Sequence, residues 1–288
     1  MIRFMVPDGT DIFSDSLQER SLTVDLKRSI ALVTGASRGI GRELTRQLAA
    51  DGHDLVLVGR DAAALYELAR EVGAEHGVAV RCEAIDLSVP GAPERLWSRI
   101  ESSSIEVDIL VNNAGSGLYG NVHDQDPAAL ERMLQLNVVA LAALTRLALP
   151  GMVSRRRGHI LNVGSMVGYQ PAGPRMAAYY GSKAFVESFS RGLAAELEES
   201  GVTVTTLSPG PTESSFEERS GAARSNVYRY LPKADPVSVA RAGIEGMKTG
   251  AVSVIPGLLT KLLAFAGRLS PRSIGVAINR ALLKDATQ

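Results

Sequence analysis

The sequence predicts an α/β fold: a parallel, doubly wound sheet with helices on both faces. Three observations carry this. From Ser29 onward, short apolar runs alternate with segments of helical period. The runs lack polar alternation, so both faces of the sheet must be covered. The first run ends in a glycine-rich turn, "VTGASRGIGRE", that opens a helix.

The elements follow in order. "SIALVTG" reads as the first strand and "GRELTRQLAADG" as the helix after it. "DLVLVGR" is the second strand, followed by the helix "DAAALYELAREVGAEHG" with Asp61 at its N-cap. "VAVRCEAIDLS" is the third, and a helix is predicted from about Pro93 to Ser102. "VDILVNNAG" is the fourth. A single long helix is predicted from Pro127 to about Arg156, opened by Asp126 as N-cap and a first-turn proline. "GHILNVGS" is the fifth strand, and "AAYYGSKAF" lies on the helix that follows. "GVTVTTLSPG" is the sixth strand and "GAVSVIPG" the seventh. Residues 1–28 show no clear period and read as an N-terminal appendage, with "SLQE" fitting a capping box for a short helix after Ser16. Residues 29–255 form the α/β unit, and 256–288 a C-terminal helical extension of it.

Composition narrows the function. The 288 residues are 45% hydrophobic and 22% charged, with a formal net charge of zero. No basic field and no basic-aromatic cluster points to nucleic acid. The single cysteine, Cys82, excludes an internal disulfide and a cysteine-based zinc site, and reads as a buried thiol in the third strand. His53, His76, His123 and His159 are scattered without ligand spacing, so no metal is expected. The N-terminus carries one basic residue, Arg3, and its short apolar run is stopped by Pro7, Asp8 and Gly9, unlike a signal peptide. No run approaches about 18 uninterrupted apolar residues. A cytoplasmic protein is the expectation.

Two stretches carry chemistry. Gly35, Gly39 and Gly41 let the backbone approach a pyrophosphate, and the helix behind them offers free N–H groups and a positive dipole end. A tight turn without ligand would use the same glycines. Tyr179 and Tyr180 lie four and three residues before Lys183, so on a helix either shares its face, and spacing does not choose between them. "TGASRGIG", "NNAG" at 112–115 and Tyr-x-x-x-Lys at 179–183 occur in that order, each at a strand end or on the next helix. In this combination, over roughly residues 29–255, the sequence resembles the short-chain dehydrogenase/reductase family. The resemblance implies a Rossmann-type sheet of about seven strands in the order 3-2-1-4-5-6-7, binding a nicotinamide dinucleotide at its carboxyl edge.

The resemblance also assigns residues. Gly35, Ser37, Arg38, Gly39, Ile40 and Gly41 would form the pyrophosphate turn. An NAD site has an acid at the end of the second strand, but Gly59 stands there and Arg60 follows. With Arg38 this gives two guanidinium groups beside the adenosine ribose, suited to a 2′-phosphate and hence to NADP(H). Asp86 and Leu87 resemble the adenine-edge contact, and Asn113, Ala114 and Gly115 the segment along the adenosine side. Pro209, Gly210 and Thr212 match the loop over the nicotinamide carboxamide. Ser165, Asn137 and Lys183 match the family's serine, asparagine and lysine, and the four-residue offset from Lys183 selects Tyr179. The stretch from Ser165 to Tyr179 is about one residue longer than is common in the family, and "YQPAGPRM" is a loop able to absorb it. Tyr179 would be the proton donor, Lys183 with the positive oxidised nicotinamide would lower its pKa, Lys183 would also hold the nicotinamide ribose, Ser165 would position the carbonyl, and Asn137 would hold a water in a proton relay to Lys183.

These expectations amount to an NADPH-dependent reductase of ketones or aldehydes, reversible as an alcohol dehydrogenase. A non-catalytic NADP(H) sensor or scaffold is the alternative, and the full Asn, Ser, Tyr and Lys set argues against it. An epimerase or dehydratase of the extended branch would have a different glycine spacing and a longer substrate region. Substrate choice is assigned to residues 115–122, 166–178 and 212–232, where Leu118, Tyr119, Met166, Tyr169, Met176 and Phe216 imply an apolar carbonyl. The tail carries Lys261, Arg268, Arg272, Arg280 and Lys284 with no acid between Glu245 and Asp285. It reads as helices covering the pocket or making a subunit contact, or as a basic amphipathic segment on an anionic membrane surface. The family implies a homodimer or homotetramer, through the long helices after Asp126 and around Tyr179.

Overall fold

A computed structural model describes residues 28–285. The expectation of a short helix after Ser16 lies outside the described residues. Seven strands form one parallel sheet in the order β3-β2-β1-β4-β5-β6-β7. They are β1 (Ile30–Thr34), β2 (Asp54–Gly59), β3 (Val80–Ala84), β4 (Val107–Asn112), β5 (Gly158–Val163), β6 (Val202–Leu207) and β7 (Ser253–Val254). Strand order reverses between β1 and β4, which opens a crevice beyond the carboxyl ends of those two strands.

Both faces of the sheet are covered, as the unalternating apolar runs require. Ala31, Val33, Leu55 and Leu57 point to one face. There they meet α1 (Gly39–Ala50), α2 (Ala62–His76) and α9 (Pro236–Lys248) through Leu44, Leu48, Leu65, Leu68 and Ile244. Ile30, Leu32, Val56 and Val58 point to the other. They meet α3 (Ala92–Ser102), α5 (Leu141–Ser154) and α6 (Ala177–Glu196) through Leu96, Ile100, Leu144 and Leu193. Truncating any one of these fully buried leucines costs about 2–5 kcal/mol.

Local signals explain where helices begin and end. Asp61 caps α2 by accepting from the Ala64 amide at 3.1 Å. Asp126 caps α4 (Pro127–Leu134) by accepting from the Ala128 and Ala129 amides.

The single long helix predicted from Pro127 is interrupted. It runs as α4, then as π-helix over Gln135–Ala140, then as α5. A π-bulge is a one-turn change of backbone bonding inside an α-helix, frequent at functional sites, and the apolar period does not report it. Here Asn137 sits in it and is tied to the backbone of Ser116. By length and composition Pro127–Ser154 is apolar enough to cross a membrane, which the run-length criterion does not detect. Its apolar side packs Met133, Ala140, Leu144, Ala148 and Met152 inside the protein.

After β6 come two short helices, α7 (Phe216–Ser220) and α8 (Asn226–Tyr230). The tail forms α10 (Leu258–Leu269) and α11 (Arg272–Leu282). Asp285 fastens its end: it pairs with Arg175 at 2.8 Å and Arg224 at 3.5 Å.

Candidate active site

The carboxyl edge of the sheet opens into a cleft of about 540 Å³. One end is built by the β1–α1 turn. Gly35 has φ +64°, and a Cβ on Gly41 would lie 2.2 Å from the Gly35 oxygen and 2.3 Å from Asn113 Nδ2. The turn is closed this tightly because Asn113 Nδ2 donates to the carbonyls of Thr34 and Gly35, at 2.9 and 3.1 Å. Thr34 Oγ1 accepts from the Asn113 and Ala114 amides, both at 3.0 Å, which locks β4 against β1. No side chain caps the start of α1. Its first N–H groups are therefore available to an anion.

Charge completes that end. Arg38 pairs with Asp61 at 2.6 Å and Arg60 with Asp86 at 3.6 Å. Burial raises the Asp86 carboxyl, but the Ser88 hydroxyl and amide, together with Arg60, outweigh it and hold the group below its ordinary value. A third guanidinium, Arg219 on α7, lines the same end of the cleft and has no ion-pair partner among the described residues. Burial, then Arg38 and Arg60, pushes it below its ordinary value. Sequence reading missed Arg219 because it comes from the far side of β6, and only the fold brings it to Arg38. The glycine cradle, the uncapped helix end and three converging cations fit a phosphorylated dinucleotide. Ser37, Gly39, Ile40, Leu87, Ala114 and Gly115 line the same cleft, as do Pro209, Gly210 and Thr212 farther along.

At the other end the four sequence-predicted groups converge. Ser165 follows β5, and Tyr179 and Lys183 lie on the first turns of α6. Lys183 is buried, donates to the Val163 carbonyl at 2.8 Å, and stands 6.0 Å from the Tyr179 ring centroid. A Cβ on Gly115 would lie 3.3 Å from Asn137 Oδ1 and 3.6 Å from Lys183 Nζ, so these two groups flank the same point. Asn137 Oδ1 accepts from the Ser116 amide at 2.9 Å. Asn137 Nδ2 donates to the Ser116 carbonyl at 2.8 Å and to Ser182 Oγ at 3.1 Å. Ser182 in turn donates to the Tyr179 carbonyl at 2.7 Å, so a serine that sequence reading passed over joins Asn137 to the tyrosine's helix.

The expectation was that Lys183 and the oxidised nicotinamide together lower the Tyr179 pKa. In the protein itself burial dominates: it pushes the phenol up to about 12, with the Ser165 side chain acting against it. Burial also brings the Lys183 ammonium down to about 8. Tyr180 is also raised by burial. Its ring packs over the Gly173 backbone, while the Tyr179 ring lies 5.4 Å from Phe216. Arg175, at φ +66°, shows where the long loop before α6 is kinked.

The substrate wall is partly other than expected. Met166, Met176 and Phe216 line the cleft, joined by Val227, Tyr228 and Leu263. Leu118, Tyr119 and Tyr169 do not. Tyr119 donates to the Leu283 carbonyl at 2.6 Å and lies 3.0 Å from Asp285. Tyr169 is bonded to Ser253 at 2.7 Å. Both brace loops and not the pocket, a difference that residue type alone does not reveal. Cys82 is half-buried on β3 and not buried as expected, because β3 is an edge strand, and its partial burial pushes the thiol up to about 12.

Fold and site together describe a doubly wound α/β protein with a glycine cradle at one end of its cleft and Ser165, Tyr179 and Lys183 at the other. Residues 29–225 match the short chain dehydrogenase family. The "Dehydrogenase/reductase SDR family member 7B" of Bos taurus is 31% identical over 283 residues, covering 89% of this chain and 87% of that protein. A "Very-long-chain 3-oxoacyl-CoA reductase" of Anas platyrhynchos is 36% identical over 186 residues, covering 62% of this chain and 58% of that protein. Among solved structures, a short-chain dehydrogenase from Sphingobium yanoikuyae in complex with NADPH superposes with a TM-score of 0.75 at 34% identity, covering 83% of this chain and 92% of that one. The chain belongs to the short-chain dehydrogenase/reductase family, oxidoreductases acting between carbonyl and alcohol groups.

Proposed function

We propose that the protein is an NADPH-dependent reductase of an apolar ketone or aldehyde, reversible as an alcohol dehydrogenase. The observation that carries this is one cleft with three arginines at its cradle end and Ser165, Tyr179 and Lys183 at the other, with Asn137 buried beside Lys183. When bound, the nicotinamide supplies the hydride. Ser165 and Tyr179 hold the carbonyl oxygen, and Tyr179, protonated at neutral pH, gives it a proton. Lys183 places a cation behind the phenol, which favours the phenolate left after transfer. Asn137, on the π-turn, lies beside Lys183 and completes the path by which its proton is replaced. Arg38, Arg60 and Arg219 would hold the 2′-phosphate, and Asp86 and Leu87 would line the adenine side. The NADPH complex of the Sphingobium neighbour supports this cofactor.

An apolar substrate is supported by Met166, Met176, Phe216 and Leu263 in the wall, and an acyl-like one by the name of the Anas relative. The same reading includes a cytoplasmic location and a homodimer or homotetramer. Leu134, Val139, Val153 and Phe185 are exposed on the helices that would pair. The test is NADPH and NADH consumption against 3-oxoacyl thioesters, bulky ketones and small polar sugars. NADPH-dependent turnover of the first two is expected. Tight NADPH binding without turnover of any substrate would leave the sensor reading in its place.

A further inference from the structure

The two C-terminal helices have an inner and an outer face of different use. The inner face closes the cleft: Leu263, Gly267, Gly275 and Leu282 line it. The outer face is apolar and uncovered. Leu258, Leu262, Phe265 and Leu269 are 75, 58, 62 and 68% exposed, and their spacing of four, three and four residues makes one stripe along α10. Ile274 and Ile278 continue it on α11, at 53 and 52%. The other exposed large apolar side chains are scattered over the rest of the chain, whereas these six and Leu259 fall within residues 258–278. A contiguous patch of this kind marks an interaction surface.

Charge says which partner fits. Lys261 and Arg268 are exposed beside the α10 stripe, and Arg272, Arg280 and Lys284 are exposed on and after α11. No Asp or Glu occurs between Glu245 and Asp285. Asp285 is already engaged by Arg175 and Arg224. A second copy pairing through this face would bring five more cations and no acid to meet them. An anionic lipid surface meets both features, since acyl chains take the stripe and headgroups take the basic rim.

We propose that α10 and α11 form a membrane-docking face for anionic phospholipid. Ile278 and Ala266 belong both to this face and to the lining of the cleft, so the cleft mouth lies at the docked surface. An apolar carbonyl then enters the site from the bilayer without crossing water, a consequence that rests on the substrate reading above. The docking itself does not.

The test is flotation of the full chain with phosphatidylcholine vesicles and with mixed phosphatidylcholine–phosphatidylglycerol vesicles, alongside sedimentation without vesicles. The protein should float with the mixed vesicles and stay behind with phosphatidylcholine alone. Flotation should fall more than about tenfold in Leu262→Asp/Phe265→Asp, and likewise in Lys261→Glu/Arg268→Glu, with NADPH binding kept. Four exposed side chains outside the cleft lining are changed, and Leu262→Ser/Phe265→Ser serves if the acidic pair fails to fold. Wild type remaining with the soluble fraction in mixed vesicles overturns the proposal. So does equal flotation of all variants, or a dimer that the apolar variants dissociate while none of the proteins binds vesicles. None of these readouts uses turnover, so failure of the substrate reading leaves the docking result intact.

Discussion

Lys183 is a buried cation, and replacing it separates its cost to folding from its use in the site. Burial lowers its ammonium from an ordinary 10.5 to about 8. Each tenfold change in proton affinity is worth about 1.4 kcal/mol, so charging this amine at pH 7 costs the folded state about 3 kcal/mol. The sign follows from proton counts. Between about pH 8 and 10.5 the unfolded chain holds the proton that the folded chain has released, so stability rises with pH across that window. Below about pH 8 both states are charged and the penalty is constant. Lys183→Met removes the titration and keeps most of the stem's packing. Its own loss is the bond to the Val163 carbonyl at 2.8 Å, about 1.5–3 kcal/mol and independent of pH in the variant. Urea unfolding of both proteins at pH 7 and pH 10 isolates the term. The stability of wild type relative to Lys183→Met should rise by about 2–3 kcal/mol over that interval. A difference that stays flat, or falls, would refute a lysine kept at low pKa by burial.

Three further outcomes follow from the geometry. Arg219→Ala should weaken NADPH binding about five- to tenfold, about 1 kcal/mol for a partly screened charge contact, and leave NADH binding unchanged in fluorescence titrations. Asn162→Ala should cost about 2–4 kcal/mol in chemical denaturation. Its amide links the Asn112 amide at 2.9 Å to Ser190 at 2.9 Å across β4, β5 and α6, and truncation costs each of those buried groups one bond, leaving Asn112 only Thr145 and Ser190 only the Val186 carbonyl. Gly41→Ala should abolish NADPH binding in the same titration, since its methyl would meet the Gly35 carbonyl and the Asn113 amide that hold the cradle shut.

The elements and covering of the sheet were legible because each strand is a short apolar run bounded by turn chemistry, and each helix has an apolar stripe or a capping aspartate; the strand order came only with the family resemblance. The Gly35–Gly41 cradle and Lys183 were legible because their spacing is local to one turn or one helix face. What was not legible depends on the third dimension. Arg219 reaches Arg38 only through the path of the chain after β6. Ser182 matters only because the π-turn aims Asn137 at it, and a π-turn leaves no mark in apolar period. Tyr119 and Tyr169 look like pocket aromatics in sequence, yet their hydroxyls bond to Leu283 and Ser253 and hold them in the frame. The seventh strand shrinks to Ser253–Val254, since only these two residues of the "GAVSVIPG" run pair with Thr206 and Leu207 of β6.

The central claim is that Tyr179, and not its neighbour, is the proton donor of an NADPH-dependent reduction. Steady-state NADPH consumption with a reducible ketone or 3-oxoacyl thioester, compared among wild type, Tyr179→Phe and Tyr180→Phe, tests it most directly. Tyr179→Phe should lose about 10²–10⁴-fold in kcat, as removal of a general acid does, with NADPH affinity kept. Tyr180→Phe, whose ring packs over Gly173, should keep kcat within about tenfold. A dead Tyr180→Phe beside an active Tyr179→Phe, or turnover indifferent to both, would contradict the account.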